Sequence, residues 1–323
     1  MVDFVSHDKY NRIMENHFLD TVTLIKEYNT CNRQLQSLLW GAIEIREQNG
    51  SKYIYLHKRQ GGMPRTEYVG EYTDSLYNTL IANNEKAKAI KTNLRNLEAK
   101  LKRKGKVPTD LSEKVKLNID FAKRNLVDTI YKQAVLEGVA VTFLETETII
   151  EGGKVAGISA DDVQKVNNLK HAWQFTLDEG VICSPSDYSI LCYINRLVEE
   201  GFYFNAGVLR SVPVTIGGTK WKPDLPMESL VKEQLSEVLS IEDVYERALN
   251  ALLFVTKKQL FIDGNKRTAV IFANHILISN GAGIVVIPED EVDEYKKLLI
   301  HYYETDEKAE ILDFLYKHCL TKI

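Results

Sequence analysis

The string Phe261-Ile262-Asp263-Gly264-Asn265-Lys266-Arg267-Thr268 gathers a carboxylate, a glycine, a carboxamide and two cations in a short span. Together they suit an anion of the phosphate type. If a helix begins here, its first backbone N–H groups lack partners, and its dipole favours negative charge. Gly264 carries no Cβ, so a ligand can approach the backbone closely. Lys266 and Arg267 add positive charge, and a guanidinium can bind phosphate through two parallel hydrogen bonds. Asp263, just before the nest, is placed to hold a hard cation such as Mg²⁺ that also touches phosphate oxygens. Phe261 is expected to turn inward and pin the loop. On residue types alone, a capped helix–helix turn with solvated charges remains an equal alternative.

The flanking pattern supplies the two helices. Ile241 to Lys258 places Val244, Ala248, Ala251, Leu252 and Val255 on one face, and an apolar stretch after the loop stops at Asn280-Gly281. Upstream, Gly207-Val208-Leu209-Arg210 leads into Val212-Pro213-Val214-Thr215-Ile216-Gly217-Gly218, then Pro223 and Pro226. The span Arg210 to Gly218 is β-like, with a Gly-Gly turn signal.

Residues 259–268 resemble the signature loop of the Fic/Doc (Fido) family, which reads His-x-Phe-x-Asp/Glu-Gly/Ala-Asn-Gly/Lys-Arg. Phe261, Asp263, Gly264, Asn265, Lys266 and Arg267 match it. The resemblance implies a helical bundle that takes Mg-ATP and moves AMP onto a protein hydroxyl. Asp263 would bind Mg²⁺, Gly264, Asn265 and Lys266 would cradle phosphates, and Arg267 would contact them. Residues 207–226 resemble the family's flap. Through Val214, Thr215, Ile216, Gly217 and Gly218 that element would align an extended segment of a target protein by strand addition. Thr148-Ile149-Ile150-Glu151-Gly152 resembles the family's inhibitory motif, whose glutamate competes with the ATP γ-phosphate for an arginine. A solvent-facing glutamate at a helix end is the competing reading of Glu151.

The pattern breaks at the position of the family's catalytic histidine, which here is Gln259, followed by Leu260 where proline is usual. That histidine is the general base for the target hydroxyl. A glutamine can orient a hydroxyl but does not titrate near neutrality. His275, His301 and His318 all lie beyond the loop. The arginine that normally meets the inhibitory glutamate is Val270 here. Lys266 followed by Thr268-Ala269 looks more like the Doc branch, whose members resemble a kinase. Three functions follow: an impaired protein adenylyltransferase, a nucleotide-binding or protein-docking pseudoenzyme without chemistry, and a Doc-like phosphotransferase toxin or regulator.

The remainder of the 323 residues bounds these readings. Lys plus Arg number 41 against 45 Asp plus Glu, a formal net charge of −4, so no polyanionic or membrane partner is announced by the balance. No apolar run reaches the roughly 18 residues of a membrane span, and Met1 to Phe18 lacks an apolar signal core, so the expected compartment is the cytoplasm. Cys31, Cys183, Cys192 and Cys319 form no CxxC pair and read as core residues.

The first fifty residues read as helical. Tyr53 to Leu56, Gly61-Gly62 and Thr66 to Val69 read as a β-hairpin. A long helix from about Ser75 carries Leu80, Ala87, Ile90, Leu94, Leu97 and Leu101 at coiled-coil spacing, which suits a homodimer or an internal helical hairpin. A second helix from about Ser112, with Leu117, Phe121, Val127 and Ile130 turned toward the first, is the expected partner. Residues 1–105 are thus a helical and β-hairpin module of unassigned role, and 106–323 the Fido domain. Lys58, Arg59 and Arg65 with Tyr53, Tyr55 and Tyr68 leave a nucleic-acid surface in residues 50–70 as a secondary reading. The fold class is mostly α.

Overall fold

The computed structural model describes residues 7–60, 63–104 and 111–323, with side chains for 20–58, 65–104 and 111–323. The chain divides into two compact units: Asp20–Asp110, and Leu111–Ile323 together with Met1–Leu19. The architecture is mostly α with small antiparallel sheets. Among the described residues, no helix is long and apolar enough to cross a membrane.

The smaller unit contains most of helix α1 (His7–Ser37), a three-stranded antiparallel sheet and helix α2 (Asp74–Arg103). Strand β1 (Ala42–Gln48) pairs with β2 (Ser51–Gln60), which pairs with β3 (Met63–Glu71). The hairpin expected from the tyrosine-rich run is therefore the second half of a meander. Residues 42–48, read as helical, form a strand because alternate positions Ile43 and Ile45 pair beside the Ile54 and Leu56 stripe of β2. The expected Gly61-Gly62 turn lies outside the described residues.

One sheet face buries Ile54 and Leu56 against Leu80, with Leu76 and Tyr77 of α2 packed around them. The other carries Tyr53, Tyr55 and Tyr68, with Tyr55 and Tyr68 ring centroids 5.5 Å apart and Arg46 4.5 Å above the Tyr55 ring. Its charges are largely paired: Glu44 Oε2 lies 2.8 Å from Arg46 and 2.5 Å from His57.

The coiled-coil spacing of α2 is satisfied within this unit. Leu80, Ala87, Leu94, Leu97 and Leu101 are its buried residues. Within the unit its partner is α1. Tyr28 donates to Glu98 at 3.2 Å, Asn93 to Cys31 at 3.4 Å, and Lys104 to Asp20 at 2.6 Å, an antiparallel order. The expected domain boundary at residues 105/106 lies outside the described residues.

In the larger unit Ser112 caps α3 (Glu113–Arg124), which breaks at Asn125 before α4 (Leu126–Leu136). The buried positions of α3 are Val115, Asn118, Ile119 and Ala122, while Leu117 is 60% exposed. The expected inward face was therefore rotated. Helices α5 (Phe143–Ile150), α6 (Ala160–Thr176), α7 (Glu179–Ile182), α8 (Tyr188–Val198) and α9 (Glu228–Leu239) lead to α10 (Val244–Lys258) and α11 (Asn265–Ser279). Helix α11 is buried from Arg267 to Ile278, with α3, α6, α8 and α10 packed around it. That explains its run of apolar residues without a polar face. A two-residue ladder joins β4 (Ile284–Val285) to β5 (Leu320–Thr321), with α12 (Val292–Thr305) and α13 (Ala309–Phe314) between them.

Candidate functional site

The α10–α11 connection is built by its own polar residues. Asp243 caps α10 by accepting from the Tyr245 and Glu246 N–H groups at 2.9 Å. At the other end Gln259 adopts a left-handed conformation (φ 46°, ψ 59°), ending the helix and turning the chain. Leu260 and Phe261 then point into the core, 0% and 1% exposed. Asn265 closes the loop: its Oδ1 accepts from the Phe261 N–H at 2.9 Å, and its Nδ2 donates to the Phe261 carbonyl at 2.8 Å. Gly264 is the N-cap of α11 in the left-handed region (φ 71°), which suits glycine.

Gln259, in the seat of the expected base, is committed inward. Its Nε2 donates to the Thr256 carbonyl at 2.7 Å, and its Oε1 accepts from Asn265 Nδ2 at 3.2 Å. Its backbone carbonyl accepts from Arg210 Nε at 2.5 Å. His275 is fully buried, paired at Nδ1 with Ser186 at 2.8 Å and at Nε2 with the Val181 carbonyl at 2.9 Å, and burial lowers its pKa.

Arg210, noted in the sequence only as part of the flap string, organises that segment. It is 2% exposed. Besides Gln259, its guanidinium donates to the carbonyls of Val212 (3.0 Å), Pro223 (3.3 Å) and Asp224 (2.5 Å). Its N–H donates to the Leu260 carbonyl at 2.9 Å. Residues 207–226 thus fold back at a Gly217–Gly218 turn, and the two arms are tied by a side chain; no strand ladder forms in this span. The β-like reading of 210–218 misses because prolines 213, 223 and 226 offer no N–H and the arginine takes the carbonyls. Val214 and Ile216 are half-buried, and Thr215, Gly217 and Gly218 are exposed.

Asn195 of α8 joins flap and loop. Its Nδ2 donates to the Asp263 carbonyl (3.0 Å) and Thr268 Oγ1 (3.1 Å), and its Oδ1 accepts from the Gly207 N–H (2.9 Å). Gln133 of α4 accepts from Trp173 Nε1 at 2.9 Å and donates to the Arg267 carbonyl at 2.8 Å, anchoring the first turn of α11 from behind.

The cations of the nest are already paired. Arg267 is 3% exposed, with a terminal nitrogen 2.9 Å from Glu199 Oε1 and 3.7 Å from Asp263 Oδ1, and its Nε 3.9 Å from Glu137 Oε2. Lys266 Nζ lies 3.6 Å from Glu137 Oε1. The Gly264 N–H donates to Asp263 Oδ1 at 2.7 Å. Glu199, the C-cap of α8, is 2% exposed and packs on the bare Cα side of Gly264: a Cβ there would collide with its Oε1. Burial pushes the Glu199 carboxyl up to about 7; Arg267 pulls the other way, and Asp263 and Glu137 add to the rise. Glu199 Oε1, Glu137 Oε1 and Arg267 Nε are buried without an aligned hydrogen bond.

Glu151 is exposed at the C-cap of α5, followed by Gly152 at φ 82°. The arginine's carboxylates are Glu199, Glu137 and Asp263. Glu199, Glu137, Asn195 and Gln133 were invisible to motif reading, because they sit at unremarked places on two other helices, Asn195 and Glu199 on α8 and Gln133 and Glu137 on α4.

The loop's residue types fit a Mg-nucleotide: Asp263 is half-exposed, Gly264 lacks a Cβ, and two cations flank it. The arrangement does not fit. Three carboxyl groups face two cations, and one of them fills the space over Gly264. Among the described residues no cluster of His, Cys, Asp and Glu forms a metal site.

Comparison with known proteins agrees with this region's folding. Residues 185–277, from just before α8 into the last turn of α11, match the Fic/DOC family model. The protein adenylyltransferase fic-1 of Caenorhabditis elegans is 27% identical over 175 residues, covering 51% of this chain and 34% of that protein. The match thus spans about a third of the length of the curated relative. A solved segment of C. elegans Fic-1 superposes with a TM-score of 0.52 at 21% identity, covering 76% of this chain and 81% of that one. A variant of that segment gives 0.53 at 19% identity over the same shares. At such identity the superposition shows the fold. The helix pair, its capped loop and the arm-tied segment before it, over residues 185–277, make up a Fic/DOC family domain.

Proposed function

We propose that this domain is a protein adenylyltransferase-type Fic domain whose transferase activity is impaired in the natural sequence. The observation that carries the reading is Gln259. Transfer to a protein hydroxyl needs a group to accept the hydroxyl proton, and Gln259 stands in that seat with both ends of its amide occupied by Thr256 and Asn265. Loss of a positioned general base typically removes about 10²–10⁴-fold in rate. The resemblance assigns Asp263 to Mg²⁺ and Gly264, Asn265, Lys266 and Arg267 to the phosphates of ATP, whose bound form would supply the AMP group. The segment 207–226, tied by Arg210, offers an extended backbone for a target segment.

A second reading, protein docking without chemistry, draws support from the same nest. Arg267 is paired to acidic side chains and nearly buried. The two readings separate in one experiment. The natural chain, Gln259→His, and Gln259→His combined with Glu199→Gln are incubated with lysate and ATP labelled at the α-phosphate. Background labelling by the natural chain with strong labelling by the double variant supports an impaired transferase. Absence of label from every variant supports docking. Robust transfer by the natural chain refutes both. A parallel reaction labelled at the γ-phosphate detects Doc-like phosphoryl transfer.

A further inference from the structure

Charge is divided unevenly between the two units. Asp20–Asp110 carries 16 Lys and Arg against 10 Asp and Glu, while the remaining residues carry 25 against 35. The net charge of −4 is thus the sum of a basic unit and an acidic one. Much of the basic excess lies on α2. Lys88, Lys91, Arg95 and Lys102 step by three, four and seven residues, which sets them on one flank of the helix. At a rise of 1.5 Å per residue the row is about 21 Å long. Lys88, Arg95 and Lys102 are exposed, and Lys91 is half-buried with its ammonium 3.4 Å above the Trp40 ring.

The row is uncompensated. Among the described residues its four cations have no ion-pair partner. Glu98, four residues before Lys102, is engaged instead by the Tyr28 hydroxyl at 3.2 Å. Burial lowers the Lys91 pKa, and the Arg95 charge lowers it further. Like charges crowded on one helix flank cost stability, and a bound polyanion would offset that cost. On the sheet of the same unit Arg46 lies 2.8 Å from Glu44 and Lys58 2.9 Å from Glu67. The apolar face of α2, with Leu80, Leu94, Leu97 and Leu101, is buried. Nothing apolar on the row is left for insertion into lipid, since the exposed residues between its cations include Thr92 and Ala99. A straight, rigid row of cations suits a nucleic-acid duplex, which carries one negative charge per about 1.7 Å of its axis.

We propose that this flank of α2 binds the phosphate backbone of duplex DNA. Contacts to phosphate carry no sequence information, so affinity follows charge and not base sequence. The contact falls on α2 rather than on residues 50–70.

Fluorescence anisotropy of the full chain with a labelled duplex of about 20 base pairs tests it. At about 50 mM salt the natural chain is expected to bind with a Kd on the order of 1–100 µM. The logarithm of the binding constant should fall with the logarithm of salt concentration at a slope of about −3 to −4, as for four neutralised phosphates. Lys88→Gln, Arg95→Gln and Lys102→Gln combined should weaken binding at least about tenfold and bring the slope to about −1. Lys52→Gln, Arg65→Gln and Lys86→Gln combined remove as many exposed cations of the same unit from outside the row, and should change Kd less than about threefold. A measurement free of variants covers misfolding: lysine acetylation read by mass spectrometry. The duplex should slow acetylation of Lys88 and Lys102 and leave Lys297 of the larger unit unchanged. No binding of the duplex, equal affinity of the two triple variants, or acetylation of Lys88 and Lys102 unaltered by the duplex overturns the assignment. So does binding to phosphatidylserine vesicles with none to the duplex.

Discussion

Replacing Glu199 by glutamine should stabilise the larger unit, and by an amount that depends on pH. The carboxyl titrates near 7 in the folded chain against an ordinary 4.5, because burial opposes ionisation more strongly than Arg267 favours it. At about 1.4 kcal/mol per pH unit, keeping it ionised costs the folded state on the order of 3 kcal/mol. The sign follows from proton counting. Between pH 4.5 and about 7 the folded state binds the proton that the unfolded state has released, so stability falls across that window as pH rises. Above it the cost is constant. Glutamine mimics the protonated form at every pH. Urea unfolding of natural and variant chains, followed by tryptophan fluorescence, should therefore give similar stabilities in acid. The curves should diverge through the window, with the variant ahead by about 2–3 kcal/mol on the alkaline side. Trp173, bonded through Gln133 to the first turn of α11, reports on this unit. If Glu199 were a stabilising salt-bridge partner, the substitution would instead lose stability, and most at high pH. A difference independent of pH, or of that opposite sign, refutes the reasoning.

Arg210→Ala should destabilise the domain by about 2–4 kcal/mol, because it leaves the carbonyls of Gln259, Val212, Pro223 and Asp224 without their shared donor. Arg210→Lys should recover little of it, since one ammonium cannot span the four positions; urea midpoints check both. Gly264→Ala should cost about 1–2 kcal/mol for the left-handed backbone plus the clash with Glu199, and adding Glu199→Ser should return the clash part. A double-mutant cycle showing independent effects would mean that Glu199 does not rest on Gly264.

What the sequence discloses here is what lies contiguously along it. Residues 261 to 267 carry the loop's conformation in their own types. Asn265 bonds back to Phe261, Gly264 takes the positive φ, and Phe261 fills the core. The apolar stripes of α10 and α2 were equally legible, because helical periodicity is local. Partners were not. The spacing of Leu80, Leu94 and Leu101 demands an apolar surface but does not say which helix provides it, and α1 does so where residues 112–136 were expected. The same limit holds for the flap. Val212 to Ile216 have strand propensity, yet propensity describes a fit to a pleated neighbour. With prolines on both arms and Arg210 taking the carbonyls, no neighbour pairs there.

Glu199 marks the furthest reach of that limit, and it bears on the function. As sequence, Val198-Glu199-Glu200-Gly201 is an ordinary end to an amphipathic helix, and two glutamates there suggest solvent. One of them does face solvent; the other is buried. What separates them is the packing of α8 on α11, where Gly264, with no Cβ, leaves room for the Glu199 carboxyl. A motif names the cradle without naming its occupant. In this chain the occupant comes from α8, and a loop read as a phosphate site is, as folded, a site already holding a carboxyl group.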